Sequence, residues 1–202
     1  MWIAFLDSSV LFPVFISNLL LFLSEAELFD VRWSRDVHKE WMERFVERYP
    51  DTDPSALKRK QQRMDSLFPD ALVEGYEPLI SIYDLDDPND NHVAAAADRA
   101  GSNVIVTDNI EDFPNDKLRN GMFAQTADDF IADQIYLTSR SARLVAIALI
   151  RHKKSLTKSR PSWRQYLEQL RARLPQTFVL VNDASFRALI TEALASGEWK
   201  FE

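Results

Sequence analysis

Acidic side chains stand at two places where a predicted β-strand ends. Asp7 directly follows the apolar run 2–6, and the polar segment 108–112 directly follows the β-branched run 103–107. In open α/β sheets, ligands bind in the crevice beyond the carboxyl ends of the strands. We therefore expect the two strand ends to bring their acids to one place.

Two further acids, Glu40 and Asp90, lie on predicted helices and could reach the same crevice. Four converging carboxylates repel one another unless a positive charge lies between them. Oxygen ligands without His or Cys select Mg²⁺ or Mn²⁺. A pair of such ions beside a phosphodiester can activate water and stabilise the leaving oxygen. The sharpest hypothesis is therefore a metal-dependent nuclease.

Each acid also has an ordinary structural interpretation. Asp7 could cap the helix that follows its strand, Glu40 could be one more solvated acid, and Asp90 could act only in capping. Asp112 could stabilise its loop by accepting hydrogen bonds from nearby backbone N–H groups. The acidic run 84–87 could compete for the role of Asp90, although its loop position favours solvation or capping.

Local patterns place these acids on the elements of an α/β fold. Apolar residues Val37, Trp41 and Phe45 predict a helix over about 34–49 with one buried face. A helix that ends at a glycine and is followed by a strand is half of a parallel-sheet unit. We place an α/β domain over 1–135 and a helical extension over 136–202. The other predicted elements are strands over 2–6 and 103–107 and helices over 54–67, 87–101, 126–136, 139–152, 162–173 and 183–196.

Four segments, 5–11, 37–40, 90–96 and 104–114, follow one another in a recognisable order over about 110 residues. Together they resemble the PIN-domain ribonucleases, and most closely the VapC-type toxins of bacterial toxin–antitoxin systems. The resemblance implies a three-layer α/β/α sandwich with a central parallel sheet. It also implies Mg²⁺- or Mn²⁺-dependent cleavage of RNA and a cognate antitoxin as partner.

The same resemblance makes Asp7, Glu40 and Asp90 the first three acids of the family's site. The family's fourth acid stands two residues after a threonine, where this chain has Asn109, and Asp112 is also common in the subgroup. The implied catalytic acids are Asp7, Glu40, Asp90 and Asp112, and the implied metal ligands are these four and Asn109.

Residues around the fourth position keep alternatives open. Asp108 directly follows Thr107 and is expected to point away. The sequence nevertheless does not decide which of Asp108, Asn109 and Asp112 is the fourth ligand. Ser9 and Thr107 are expected to supply hydroxyls beside the acids. The neutral Asn109 favours the main rival, a PIN-like fold that has lost catalysis and binds protein or RNA. His92 is expected to be structural rather than catalytic.

The net charge of −7 averages two unlike segments. Residues 1–139 hold 12 Lys and Arg against 26 Asp and Glu, a net −14, whereas residues 140–173 hold ten cations and one acid, a net +9. A basic run with interleaved aromatics is typical of a surface that contacts phosphates and unpaired bases. A solvated helix face and a surface for an acidic antitoxin segment are the alternatives. The RNA-contact candidates are Arg151, Lys153, Lys154, Lys158, Arg160, Trp163 and Arg164.

The chain contains no cysteine, which excludes disulfide scaffolds, thiolate metal sites and cysteine nucleophiles. Its absence is typical of the reducing cytosol, so we expect a cytoplasmic protein. The apolar run 10–23 is shorter than the ~20 residues that span a bilayer and predicts a buried helix, with no membrane partner. Part of the apolar segment 11–33 could instead face a second copy of the chain in a homodimer, or the antitoxin.

Overall fold

A sheet of four parallel strands forms the centre of the fold in the computed structural model, which describes residues 2–200. The strands are β1 (Ile3–Leu6), β2 (Asp30–Arg32), β3 (Val104–Val106) and β4 (Phe123–Gln125), in the order β2-β1-β3-β4. The chain runs from β1 to β2 on one side and returns to β3 on the other. The strand order therefore reverses between β1 and β3, which is where α/β sheets open a ligand crevice.

Helices flank this sheet and continue beyond it along the chain. The helices are α1 (Ser8–Leu11), α2 (Val14–Glu25), α3 (Arg35–Arg48), α4 (Pro54–Leu67), α5 (Glu77–Ile80), α6 (Asn91–Arg99), α7 (Ala127–Leu137), α8 (Ser139–Ser155), α9 (Trp163–Arg173), α10 (Pro175–Val181) and α11 (Ala184–Ser196). This mixed α/β architecture with a central parallel sheet confirms the predicted fold class and is consistent with a PIN-like α/β/α sandwich.

The chain folds into two compact units. The sheet unit contains the described residues of Met1–Val14 and Phe29–Thr126, and the helical unit those of Phe15–Leu28 and Ala127–Glu202. The sheet unit holds all four strands, and the helical unit holds α7 to α11 and most of α2. The domain boundary that we place after residue 135 stays a prediction.

Capping side chains start the helices that carry the candidate acids. The Ser34 hydroxyl accepts a hydrogen bond from the backbone N–H of Val37, 3.2 Å away, and so begins α3. Asp87 caps a 3-10 turn, Pro88–Asp90, and the regular helix α6 begins only at Asn91. Gly101, at a φ of +64°, follows the end of α6 in the left-handed region that glycine adopts without steric cost.

The apolar run 10–23 forms two helices instead of one. Pro13 separates α1 from α2 because proline has no N–H to continue the helical hydrogen bonds. Most of its large side chains are buried, among them Leu11, Leu19 and Leu20, while Val14 is 44% exposed. The segment therefore contributes mainly to the core. Within residues 2–200, no helix combines the length and apolar character needed to cross a bilayer.

Candidate functional site

Asp7 is a buried carboxylate at the carboxyl end of β1, with only 4% of its surface exposed. Its Oδ2 accepts hydrogen bonds from the hydroxyls of Ser9 and Thr107, at 2.7 and 2.8 Å. Its Oδ1 accepts one from the backbone N–H of Ser8, at 2.6 Å. Asp7 therefore caps α1, as the structural interpretation expects. Oδ1 keeps a lone pair for a further ligand, so capping and cation binding are compatible.

The two hydroxyls beside Asp7 are themselves held by the loop after β3. The backbone N–H of Asp108 donates to Ser9 Oγ at 3.0 Å, and that of Asn109 donates to Thr107 Oγ1 at 3.1 Å. Each hydroxyl therefore accepts a hydrogen bond from the β3 loop and donates one to Asp7. This network fixes the Asp7 carboxylate at the crevice between β1 and β3. The structure thus places the hydroxyls of Ser9 and Thr107 beside Asp7, and their supporting role in a site stays a prediction.

Helix α3, which carries Glu40, is fixed to α4 by a buried network around His38. Trp41 Nε1 donates to His38 Nδ1 at 2.9 Å, so that nitrogen must be the acceptor. The other ring nitrogen then donates to Asp65 Oδ1, 3.1 Å away, which also accepts from Trp33 Nε1. Burial lowers the pKa of His38 despite the nearby Asp65. His38 is thus a neutral structural residue that positions its helix.

Glu40 pairs with a histidine from α6. His92 Nε2 lies 2.6 Å from Glu40 Oε1. Burial alone would lower the pKa of His92, but the hydrogen bond and charge of Glu40 outweigh it and raise the pKa. Glu40 is therefore not merely a solvated acid on α3. The pairing also means that His92, expected to be structural, contacts a candidate catalytic residue.

Asp90 is a partly buried acid that forms no ion pair with a described residue. Its carboxylate accepts no hydrogen bond from any residue that the structure describes, so it does not cap α6. Burial, followed by the negative charges of Asp7, Asp112, Asp87 and Glu40, raises the pKa of Asp90 to about 7. The acids from β1, α3 and the loops around α6 and β3 therefore share one electrostatic environment.

The three candidates for the fourth ligand lie in the loop after β3. Asp112 is partly buried and its carboxylate bonds no described backbone N–H, contrary to the loop-stabilising interpretation. Burial and then neighbouring acids, Asp7 among them, raise the pKa of Asp112. Burial and the charge of Asp7 also raise the pKa of Asp108. Asn109 is exposed. The charge of Asp7 therefore affects the pKa of both Asp112 and Asp108. Which of the three residues is the fourth ligand stays open.

The competing acids of the run 84–87 have structural partners. Asp86 forms an ion pair with Lys117. Asp87 caps the 3-10 turn by accepting a hydrogen bond from the backbone N–H of Asn89 at 2.9 Å. Both carboxylates are exposed. The structure thus supports solvation and capping for this run more than a ligand role.

The chemistry of these donors fits a hard divalent cation. Asp7 and Asp90 offer oxygen donors with free lone pairs. Burial and then the charges of neighbouring acids raise the pKa of Asp90, and a bound cation would favour its charged form. Among residues 2–200, however, no three Asp, Glu, His or Cys side chains converge closely enough to form a ready-made metal site. The donors are suited to Mg²⁺ or Mn²⁺ but are not preassembled around it.

The seven RNA-contact candidates lie in the helical unit, whereas the candidate acids lie in the sheet unit. Two of them are engaged within their own unit: Arg151 pairs with Glu25 at 2.9 Å and Arg164 pairs with Glu168 at 3.2 Å. Arg151 is also only 18% exposed, which makes it a structural cation. The basic run of the sequence thus contains cations that pair with carboxylates in the fold and others that do not pair with a described carboxylate.

One cation near the acids escaped the sequence interpretation. Arg44 on α3 attracts the Asp108 carboxylate and packs 5.1 Å from the Phe12 ring centroid. It stands four residues after Glu40, a spacing that places both side chains on one helix face. That spacing is the signal by which Arg44 could have been found.

A comparison with curated proteins finds a partial relative. Over 81 residues the chain is 36% identical to a protein of Mycobacterium tuberculosis (strain ATCC 25618 / H37Rv) named "Putative ribonuclease VapC50". The aligned part is 40% of this chain and 47% of that relative, so the chain spans about half the length of the curated relative it matches. No family model matches the chain. No solved structure matches it either.

Proposed function

We propose that the protein is a Mg²⁺- or Mn²⁺-dependent endoribonuclease acting at the crevice between β1 and β3. The observation that carries the proposal is Asp90. Its carboxylate accepts no hydrogen bond from a described residue, burial and then nearby acids raise its pKa to about 7, and Asp7 is one of those acids. Perturbed acids in a crevice of an α/β sheet are typical of functional sites. The ribonuclease name of the mycobacterial relative supports the same class.

Each residue has a distinct task in this proposal. Asp7 and Asp90 would hold the principal cation, and Glu40 with Asp112 or Asn109 would complete the site. A bound Mg²⁺ would make water a better nucleophile and stabilise the leaving oxygen of the phosphodiester. Glu40 would orient the attacking water and accept its proton, and the His92 imidazole would hold the Glu40 carboxylate in place.

The partner that we propose is a cognate antitoxin, which would make the protein the toxin of a pair. Such a partner could occlude the crevice or insert a cation among the uncompensated acids. A short neighbouring gene with a DNA-binding pattern would identify it, and its co-purification with this chain would test the pairing. A homodimer is a separate hypothesis, which sedimentation of the purified chain would test.

The test of the activity is a Mn²⁺ titration while cleavage of a structured RNA is followed. Asp7→Asn and Asp90→Asn should each lose more than about 100-fold in cleavage rate, because several kcal/mol of charge stabilisation disappear. Asp70→Asn is the matched control, since Asp70 is exposed and lies away from the crevice residues in the chain. Its activity should equal that of the wild type.

A second candidate function, an inactive PIN-like binding module, is favoured by Asn109 at the fourth position and by ligands that are not preassembled. The same titration separates the two. RNA binding without cleavage at any Mn²⁺ concentration would support the module. Equal cleavage by the wild type and all three variants would exclude a catalytic role for Asp7 and Asp90, and with it the proposed mechanism.

A further inference from the structure

Five cations of the helical unit form a group that we call the basic end of α8. Two lie in the last turn of α8, two in the loop before α9, and one after α11. No carboxylate of the described residues lies within ion-pair distance of any of them. They are Lys153, Lys154, Lys158, Arg160 and Lys200.

Four acids of the helical unit pair with other cations. Arg143 contacts Glu198 at 2.8 Å and Glu192 at 3.4 Å. Glu25 and Glu168 pair with their own arginines, as described above. These ion pairs leave the cations at the basic end of α8 without a carboxylate partner among the described residues.

Two partly exposed indole rings are interleaved with these cations. Lys153 Nζ lies 5.2 Å from the Trp163 ring centroid, while Lys154 Nζ and Lys200 Nζ lie 3.5 and 5.4 Å from that of Trp199. Trp199 and Lys200 stand outside the basic run of the sequence and become part of the group only through the fold. Cations beside exposed aromatic rings are how proteins grip single-stranded nucleic acid, with ammonium groups on phosphates and rings on bases.

We propose that the basic end of α8, with Trp163 and Trp199, binds single-stranded RNA. The proposal goes beyond the proposed nuclease function and does not depend on it, because binding here needs neither a metal nor the acids of the sheet unit. An acidic protein segment would satisfy the cations but would offer no flat bases to the two indoles. The combination of both features therefore favours RNA over an acidic peptide.

The test uses the full chain carrying Asp7→Asn, in EDTA, so that cleavage cannot consume the probe. The probe is a fluorescent single-stranded oligouridine of about 20 nucleotides. It is longer than the roughly 4–16 nucleotides that one single-strand-binding domain covers. Binding is followed by anisotropy over a series of KCl concentrations. Lys154→Gln with Lys158→Gln removes two unpaired charges, and Arg35→Gln with Arg143→Gln is the matched control that removes two paired ones.

The unpaired double variant should raise the Kd about tenfold and reduce the slope of log Kd against log salt by about 1.4, at about 0.7 for each cation that no longer neutralises a phosphate of the single strand. The paired double variant should change the Kd by less than about threefold, because its cations contact carboxylates already. Trp199→Leu should also raise the Kd about tenfold, in line with the loss of one base stack. Circular dichroism and the urea midpoint of each variant establish that it remains folded.

Equal losses in the two double variants would overturn the proposal, because net charge alone would then explain binding. Stronger displacement by a poly-glutamate peptide than by unlabelled RNA would also overturn it, in favour of an acidic protein partner. Cleavage by the otherwise wild-type chain is measured separately. A chain that binds at this surface without cleaving refutes only the nuclease, and one that cleaves with an unchanged KM in the Lys154 and Lys158 variant refutes only the surface.

Discussion

The two units differ in the sign of their net charge and in how far the charges are paired. The sheet unit carries 21 acids against 12 Lys and Arg, a net −9, and the helical unit carries 10 acids against 12, a net +2. In the sheet unit burial and then neighbouring acids raise the pKa of Asp90 and of Asp112. In the helical unit Arg143, Arg151 and Arg164 each contact a carboxylate.

This difference distinguishes charge that is paired within the fold from charge that is not. A folded chain gains little from like charges in one crevice, and under the proposed function a divalent cation would neutralise those around Asp90. Paired surface cations need no such explanation. The number of charges in a segment is therefore less informative than whether the fold compensates them.

The largest expected effect that sharpens this comparison is a pH dependence from His152, buried in the helical unit. His152 Nδ1 lies 2.8 Å from the Tyr166 hydroxyl, and Phe15 packs against its ring. Burial lowers the pKa of His152 to about 4. Between that value and the ordinary pKa of 6.5, the unfolded chain binds a proton that the folded chain does not, so stability falls as the pH falls.

Urea unfolding should therefore show a loss of about 2–3 kcal/mol from His152 between about pH 7 and 4.5. His152→Asn, which keeps a polar group near Nδ1 but does not titrate, should lack this component. Asp90, with its raised pKa, contributes in the opposite sense, because its folded form takes up a proton first as the pH falls. The difference between wild type and variant isolates His152, and parallel pH profiles would contradict its assigned role.

Sequence patterns were sufficient where one local signal decides the structure. The strand before Asp7 and the helices α3 and α4 all lie where the sequence predicts them. The short strands β2 and β4 were not predicted, since neither is a β-branched apolar run like β3. Helices α5 and α10, of four and seven residues, were not predicted because two turns or fewer show no clear helical period.

The site was predictable in its residue types but not in its pairings. The sequence brings Asp7 to a strand end, yet it cannot show that His92 contacts Glu40, because α3 and α6 are separated by α4 and α5. In the same way, the charge of Arg151 is visible in the sequence but its pairing with Glu25 is not. Long-range contacts decide which charges remain available, and a charge count cannot reveal them.

A smaller effect compares two buried threonines, one in each unit. Thr107 donates to the charged Asp7 carboxylate at 2.8 Å, while Thr177 donates to the neutral backbone carbonyl of Asp128 at 3.3 Å. Hydrogen bonds to charged groups contribute more, so Thr107→Val should cost about 2 kcal/mol and Thr177→Val about 1 kcal/mol in urea unfolding. Equal losses would indicate that Asp7 does not depend on its hydroxyl donors.

The smallest effect has the opposite sign and bears most directly on the comparison. Asp90→Asn removes the repulsion among the acids without breaking a described hydrogen bond, so it should stabilise the fold by about 1 kcal/mol near pH 8 after allowance for solvent screening. Near about pH 5 this gain in stability should vanish, because the wild-type carboxyl is already protonated below its raised pKa.

Asp183→Asn in the helical unit is the control. Hydrogen bonds from Ser185 lower the pKa of Asp183, so its neutralisation should destabilise the fold near neutral pH. Urea midpoints of both variants at the two pH values test the pair. A destabilised Asp90→Asn would mean that the acids are held together by the fold itself, and the case for a cation among them would fail.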